Sequence, residues 1–266
     1  MTYTPALPLT GYAGWALLKR TMAVQQKAYL AQPQITRDED YFKAKIGQVK
    51  TAEQLVSDRR LLKVTLGAFG LESDLNSKFF IQKILESSTI DPSSLASRLS
   101  DKKYLQLASA FGFGDYSTPR TQLSTFPQEI LSSYETRSFE TAVGEQNDNM
   151  RLAMNAEREL GKLAAKSSSE NTKWFTVLGD TPLRTVFEKA LGLPTSFGQL
   201  DVDKQLDMIR QKAEAQLGSG AIAQFTDAGA VTKLIHRFLV RSEISQYATS
   251  GSSAQTALTL LQSRLR

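Results

Sequence analysis

The chain has 266 residues, 41% of them hydrophobic and 22% charged, with a net charge of +5, a balance ordinary for a globular protein and sufficient for one large core or two smaller ones. It contains no cysteine and a single histidine, which excludes disulfides, thiolate nucleophiles, iron–sulfur clusters and thiolate zinc sites and leaves no multi-histidine metal centre. The opening MTYTPALPLTGYAGWALLKR lacks the basic start and apolar run of a secretory signal, and no stretch approaches the ~20 apolar residues that span a bilayer.

The first periodic stretch, residues 12–31, carries Trp15, Leu18, Met22 and Tyr29 at steps of three and four, completed by Gln25, one stripe of a helix that Pro33 ends. Thr36-Arg-Asp-Glu39 reads as a capping box opening a second helix, with Phe42, Ile46 and Val49 along one face, and Thr51-Ala-Glu-Gln54 as a box opening a third.

An internal similarity then occurs three times. Asp58, Asp101 and Asp180 each open a helix whose apolar or small residues fall three, six, seven and ten positions on: Leu61, Val64, Thr65 and Ala68; Tyr104, Leu107, Ala108 and Phe111; Leu183, Val186, Phe187 and Ala190. Each segment closes on Gly70, Gly112 or Gly192, predicted as left-handed helix stops. The unequal intervals between the three disfavour a regular solenoid.

Residues 128–166 lack proline, and Phe139, Val143, Met150, Met154 and Leu160 keep helical spacing, predicting one helix of about 30 residues and ~45 Å. Gly144 and Gly161 within it suggest close packing by a neighbour. After a polar linker at 166–171, the Trp174, Phe175, Leu178 segment has helical spacing but is short enough to be a strand. Gly218-Ser-Gly220 reads as flexible, and Val231, Leu234, Ile235, Phe238 and Leu239 mark a helix reaching about Tyr247. Thr249-Ser-Gly-Ser-Ser253 reads as a flexible link, followed by Ala254, Ala257, Leu258, Leu261 and Leu265, a narrow stripe suited to docking on another helix. The expected fold is all-α, an irregular multi-helix bundle with internally similar segments. Its expected organisation is an N-terminal helical region over 1–116, a second packed on it over 117–248, and a link with a short amphipathic tail helix over 249–266.

Residues that could carry chemistry are sparse. His236 lies between Lys233 and Arg237 on the flank of a helix, the setting of a solvated side chain more than of a general base. Gly112-Phe-Gly114 follows a helix, and no Gly-Lys-Ser/Thr follows it, so it reads as a helix stop and not a phosphate loop. Glu140, Glu145 and Asp148 could pair as acid/base or oxygen-ligand carboxylates, although such a face is usually hydrated. Lys233, Arg237 and Arg241 recur every four residues as a basic edge, a candidate anion site; without interleaved aromatics it is a poor single-strand groove. The chain is expected to be no enzyme and to hold no cofactor.

Several separated segments resemble an uncharacterised family of alphaproteobacterial proteins whose members tend to be encoded among flagellar genes. They are Pro8-Leu-Thr-Gly-Tyr-Ala-Gly-Trp15, Asp58-Arg-Arg-Leu-Leu62 with Ala68-Phe-Gly-Leu71, Ala96-Ser-Arg-Leu-Ser-Asp101 with Ala110-Phe-Gly-Phe113, Phe139-Glu-Thr-Ala-Val-Gly-Glu-Gln146, and Pro182-Leu-Arg-Thr-Val-Phe187. The resemblance covers most of the chain from about residue 8 to 215 and implies a helical protein associated with the flagellum, with no catalytic residues to carry over. On this footing the expectation is a structural or assembly protein in contact with flagellar protein partners through helices. It would be cytoplasmic or exported without a cleaved signal, with Ala254, Leu258, Leu261 and Leu265 as a partner-binding face. The alternative is a basic helical module binding nucleic acid or another polyanion through Lys233, Arg237 and Arg241.

Overall fold

A computed structural model describes the backbone of residues 3–264 and the side chains of residues 3–246. Among the described residues it contains thirteen α-helices and no strand, as the 3.6-residue periods require. The chain divides into two compact units, one of Met1–Ala6 with Thr21–Glu145, the other of Leu7–Arg20 with Gln146–Arg266. The expected boundary at 116/117 therefore falls inside the first unit, and α1 (Gly11–Leu30) gives its first half to the second unit and its second half to the first.

The first unit holds α2 (Pro33–Lys45), α3 (Ala52–Ser57), α4 (Arg59–Phe69), α5 (Lys78–Leu85), α6 (Leu95–Arg98), α7 (Lys103–Phe111) and α8 (Phe126–Gly144). Pro33 does not merely follow α1; it opens α2 at the position where a missing N–H costs nothing. Thr36 consequently lies inside α2 and its hydroxyl donates back to the Gln32 carbonyl (3.3 Å), so the first predicted capping box does not form. The second forms in altered shape. Thr51 accepts from the Gln54 N–H (3.2 Å), while the Gln54 side chain accepts from Lys50 and not from Thr51.

Phe42, Ile46, Leu62, Val64, Ile81, Ile84, Leu107 and Phe111 are wholly buried in this unit's core. The Phe111 ring meets Phe126 edge-on at 5.0 Å between centroids. α4 lies along α8, and a Cβ on Gly67 would come within 2.8 Å of the Tyr134 ring, so glycine sets how closely these two helices approach. The N-terminal segment is pinned by two side-chain amides. Gln25, buried on α1, accepts from the Ala6 N–H (2.7 Å) and donates to the Ala6 carbonyl (3.3 Å), while Gln32 accepts from the Tyr3 N–H (3.0 Å).

The second unit holds α9 (Asp148–Ala164), α10 (Glu170–Gly179), α11 (Thr181–Leu191), α12 (Val202–Leu217) and α13 (Ala228–Arg264), besides the start of α1. The single helix expected over 128–166 is two, α8 and α9. Glu145-Gln146 closes the first, and Asn147, extended at φ −151°, caps the second by accepting from Met150 N–H at 3.2 Å. A Cβ on Gly161 would meet nothing within 4 Å, so that glycine is not a close-packing position. The segment around Trp174 is helix α10. Trp174, Phe187 and Phe225 form a chain of edge-on rings at 5.1 and 5.6 Å, and the indole N–H donates to the Gly220 carbonyl at 2.8 Å. The Gly218-Ser-Gly220 stretch, expected to be flexible, is thus tied to the core through the Gly220 carbonyl, with Gly218 as the exposed, left-handed stop of α12 at φ 99°.

Residues 249–253, expected to be a flexible link, continue α13 without a break; Gly251 costs a helix only about 1 kcal/mol relative to alanine. The side chains of Ala254, Leu258 and Leu261, and all of Leu265, lie outside the described residues.

The three similar helices are α4, α7 and α11. Gly70, Gly112 and Gly192 stop them with φ of 69°, 66° and 61°. Leu61, Val64, Thr65 and Ala68, their α11 counterparts, and Leu107, Ala108 and Phe111 of α7 are buried. Asp58 accepts from Arg60 and Leu61 N–H (2.9 and 3.1 Å) and Asp180 from Leu183 N–H (2.9 Å). Asp101 sits one residue outside the cap position of α7, which Lys102 occupies, and accepts from Lys103 N–H at 2.9 Å.

Candidate protein-interaction groove

Within the second unit, the stop of α11 and the flank of α13 enclose a groove of about 890 Å³. Its α11 side exists because Gly192 turns left-handed and Leu193-Pro194 carries the chain away from the helix axis. The α13 side presents His236, Arg237, Val240, Arg241 and Ile244 at helical spacing. Ile244 is 63% exposed, a large apolar side chain without cover on the rim of a concavity.

The predicted basic edge divides between two duties. Lys233 turns to α12, its Nζ donating to the Leu217 carbonyl at 3.2 Å, and does not line the groove. Arg237 and Arg241 do line it. Arg237 donates through Nη2 to the Gln216 side chain, which in turn donates to the Leu191 carbonyl at 2.9 Å, tying α13 to the end of α11. Its Nε–H is buried without an acceptor among the described residues. The Arg241 guanidinium lies over Gly192, where a Cβ would collide with it, and forms no ion pair among the described residues. A cation at that place also faces the negative end of the α11 dipole.

Sequence reasoning missed the α11 wall. Lys189 adds a further positive charge, contacting Asn149 at 3.3 Å and the Phe238 ring at 5.8 Å. The acid on this wall, Glu188, is engaged by Arg184 at 2.7 Å. Leu193-Pro194, following a glycine stop, was the available signal. Net positive charge beside half-buried Val240 and uncovered Ile244 is a lining complementary to an apolar surface bearing carboxylates.

The remaining candidates are not assembled into sites. His236 is exposed, with its ring edge-on to Tyr12 at 4.4 Å. Glu140 is buried on α8, Glu145 is exposed at the end of that helix, and Asp148 lies on α9 paired with Arg151 at 2.6 Å. Gly112-Phe-Gly114 is a helix stop, with Gly114 pressed against the Glu86 and Ser87 carbonyls. Among the described residues, no group of His, Asp and Glu is arranged to hold a metal ion, and no helix is long and apolar enough to cross a membrane.

No curated protein matches the chain. The crystal structure of protein AGR_C_984 from Agrobacterium tumefaciens is similar to it, at 25% identity and a TM-score of 0.74, over 91% of this chain and 99% of that one. Residues 68–231 match the family model described as "Protein of unknown function (DUF1217)", a match that includes the α11 wall of the groove and stops short of its α13 wall. Since that segment is more than half of the sequence, the chain belongs to the DUF1217 family of proteins of unknown function.

Proposed function

We propose that this is a non-catalytic structural or assembly protein of the bacterial flagellum that works through helix contacts with protein partners. The α11–α13 groove carries the reading: it pairs half-buried Val240 and uncovered Ile244 with the unpaired cation Arg241, the lining expected for an amphipathic helix bearing acidic residues. The flagellar part is supported by the segment resemblances, among them Pro8 to Trp15 and Phe139 to Gln146. A non-catalytic role is supported by the setting of His236, which is exposed and packed on Tyr12, away from any arrangement that would orient it as a base.

Arg237 and Arg241 in one groove also favour a second reading, polyanion binding. Salt separates the two: counterion release makes polyanion affinity fall steeply with ionic strength, whereas apolar helix docking holds. The test uses tagged full-length protein and a double variant, Arg241→Glu with Ile244→Asp, as baits in motile cells. Capture of identified flagellar components by the wild type, lost in the variant and insensitive to salt, is the expected result. Flagellar components captured equally by both baits would remove the groove from the proposal, and their absence from both would remove the flagellum.

A further inference from the structure

The last side chains described on α13, those of Ile244, Ser245 and Gln246, are all exposed. Consecutive residues stand about 100° apart round a helix, so three exposed in a row mark the place where the second unit stops covering α13. The backbone nevertheless continues as helix to Arg264. It does so through Thr249-Ser-Gly-Ser-Ser253, residues of low helix preference that hold a helix poorly unless another element packs on it.

The spacing indicates what kind of element that is. Ile244, Tyr247, Gly251, Ala254, Leu258 and Leu261 follow one another at alternating steps of three and four, the a and d positions of a coiled-coil heptad. This register starts on a side chain that is 63% exposed and is distinct from the buried stripe of Val231, Leu234, Ile235, Phe238 and Leu239. Residues 244–263 carry no charged side chain. Nothing along the seam therefore selects an acidic or a basic partner, and an identical helix meets no like charge there.

We propose that this segment pairs with the same segment of a second copy of the chain, as an antiparallel two-stranded coiled coil. In that direction each a position meets a d position: Ile244 lies opposite Leu261, Tyr247 opposite Leu258, and Gly251 opposite Ala254. Large residues meet large ones at the ends, and small meet small at the centre, where the backbones can approach. The charges flanking the uncharged stretch are Glu243 and Arg264, both at g positions, which face each other across an antiparallel seam and do so at both ends of the pair. Within its own chain Glu243 accepts from a neutral partner, the Thr10 hydroxyl, at 3.1 Å. Parallel pairing would set Gly251 against Gly251 and bring neither Glu243 nor Arg264 to an opposite charge.

The test is sedimentation of the full chain over a concentration series, with cysteine cross-linking to read direction. A concentration-dependent dimer is expected, weakened about a hundredfold by Leu258→Asp, which would bury an unpaired carboxylate in two layers of the seam. Glu243→Arg or Arg264→Glu alone should weaken it about tenfold, and the two together in one chain should restore it. Because the chain has no cysteine, introduced thiols report alone. Tyr247→Cys chains mixed with Leu258→Cys chains should form a disulfide-linked heterodimer, and neither variant by itself a homodimer. None of these variants changes Ile244, which the seam shares with the groove, so failure here leaves the groove reading standing. The proposal fails if the wild type stays monomeric at every concentration, if folded Leu258→Asp dimerises like the wild type, or if the cysteine variants cross-link to themselves and not to each other.

Discussion

In the first unit α4 starts on Asp58, stops on Gly70 and runs along α8, whose Arg137 covers the stop; a Cβ on Gly70 would lie 3.0 Å from its Nη1. In the second unit α11 starts on Asp180, stops on Gly192 and runs along α13, whose Arg241 covers the stop in the same manner. The starts, the stops and the covering cation are alike. What differs is the fit beside them. Gly67 draws the Tyr134 ring onto α4, whereas beyond Gly192 the Leu193-Pro194 turn leaves a groove with Ile244 uncovered. α7, the third such helix, is covered at Gly112 by the Tyr116 ring instead. A cap specifies where a helix ends, and the residues around it decide whether the end is sealed or offered to a partner.

The comparison breaks most forcefully in the two cores. Trp174→Ala and Phe111→Ala, each emptying a wholly buried aromatic site, should cost about 3–5 kcal/mol. Amide exchange should quicken first over 146–246 in the former and over 21–145 in the latter. A uniform rise across both segments in either variant would mean that the units are one cooperative body.

A smaller effect is expected at the stops. Valine at Gly70 or Gly192 should cost about 1–2 kcal/mol or more, because a β-branched residue resists positive φ. Gly192→Val should be the costlier, since it must also displace Arg241. Equal losses in urea titrations would deny that guanidinium a role in holding the end of α11.

The smallest effect is at the starts, where Asp58→Ala should cost about 1 kcal/mol at neutral pH. Burial opposes ionisation of Asp58, but hydrogen bonds from Tyr41, Leu61 and Arg60 outweigh it and hold its pKa below 3.8. The carboxylate's contribution is therefore complete above 3.8 and is lost as pH falls through the depressed folded value. Acid titration should find the wild type and Asp58→Ala converging there; a constant gap would assign the loss to packing.

The starts and stops were legible because a cap is local: an aspartate, a run of ten or eleven residues and a glycine contain all that is needed. The break at 145–147 was not read, since neither glycine nor proline stands in Glu145-Gln146-Asn147 and only the Asn147 cap marks it. Half of the groove was visible, Arg237 and Arg241 being four residues apart on one helix. Its other wall depends on which helix packs against α13, a non-local choice. For the same reason Lys233 was misassigned, its partner being the end of α12. Gln25 sat correctly on the buried stripe of α1, but its pairing with Ala6 could not be foreseen from spacing.

The sharing of α1 between the units sets a schedule for biosynthesis. Residues 7–20 leave the ribosome before their companions in the second unit, which lie more than a hundred residues further on: Lys19 pairs with Glu157 at 2.7 Å and Tyr12 packs on His236. Trp15 and Leu18, buried in the finished protein, must wait uncovered for those partners. At about 5–20 residues per second that interval is on the order of ten seconds or longer. A nascent chain with this topology keeps the apolar stripe of α1 open to chaperones until α9 and α13 have been made, and only then can the second unit close.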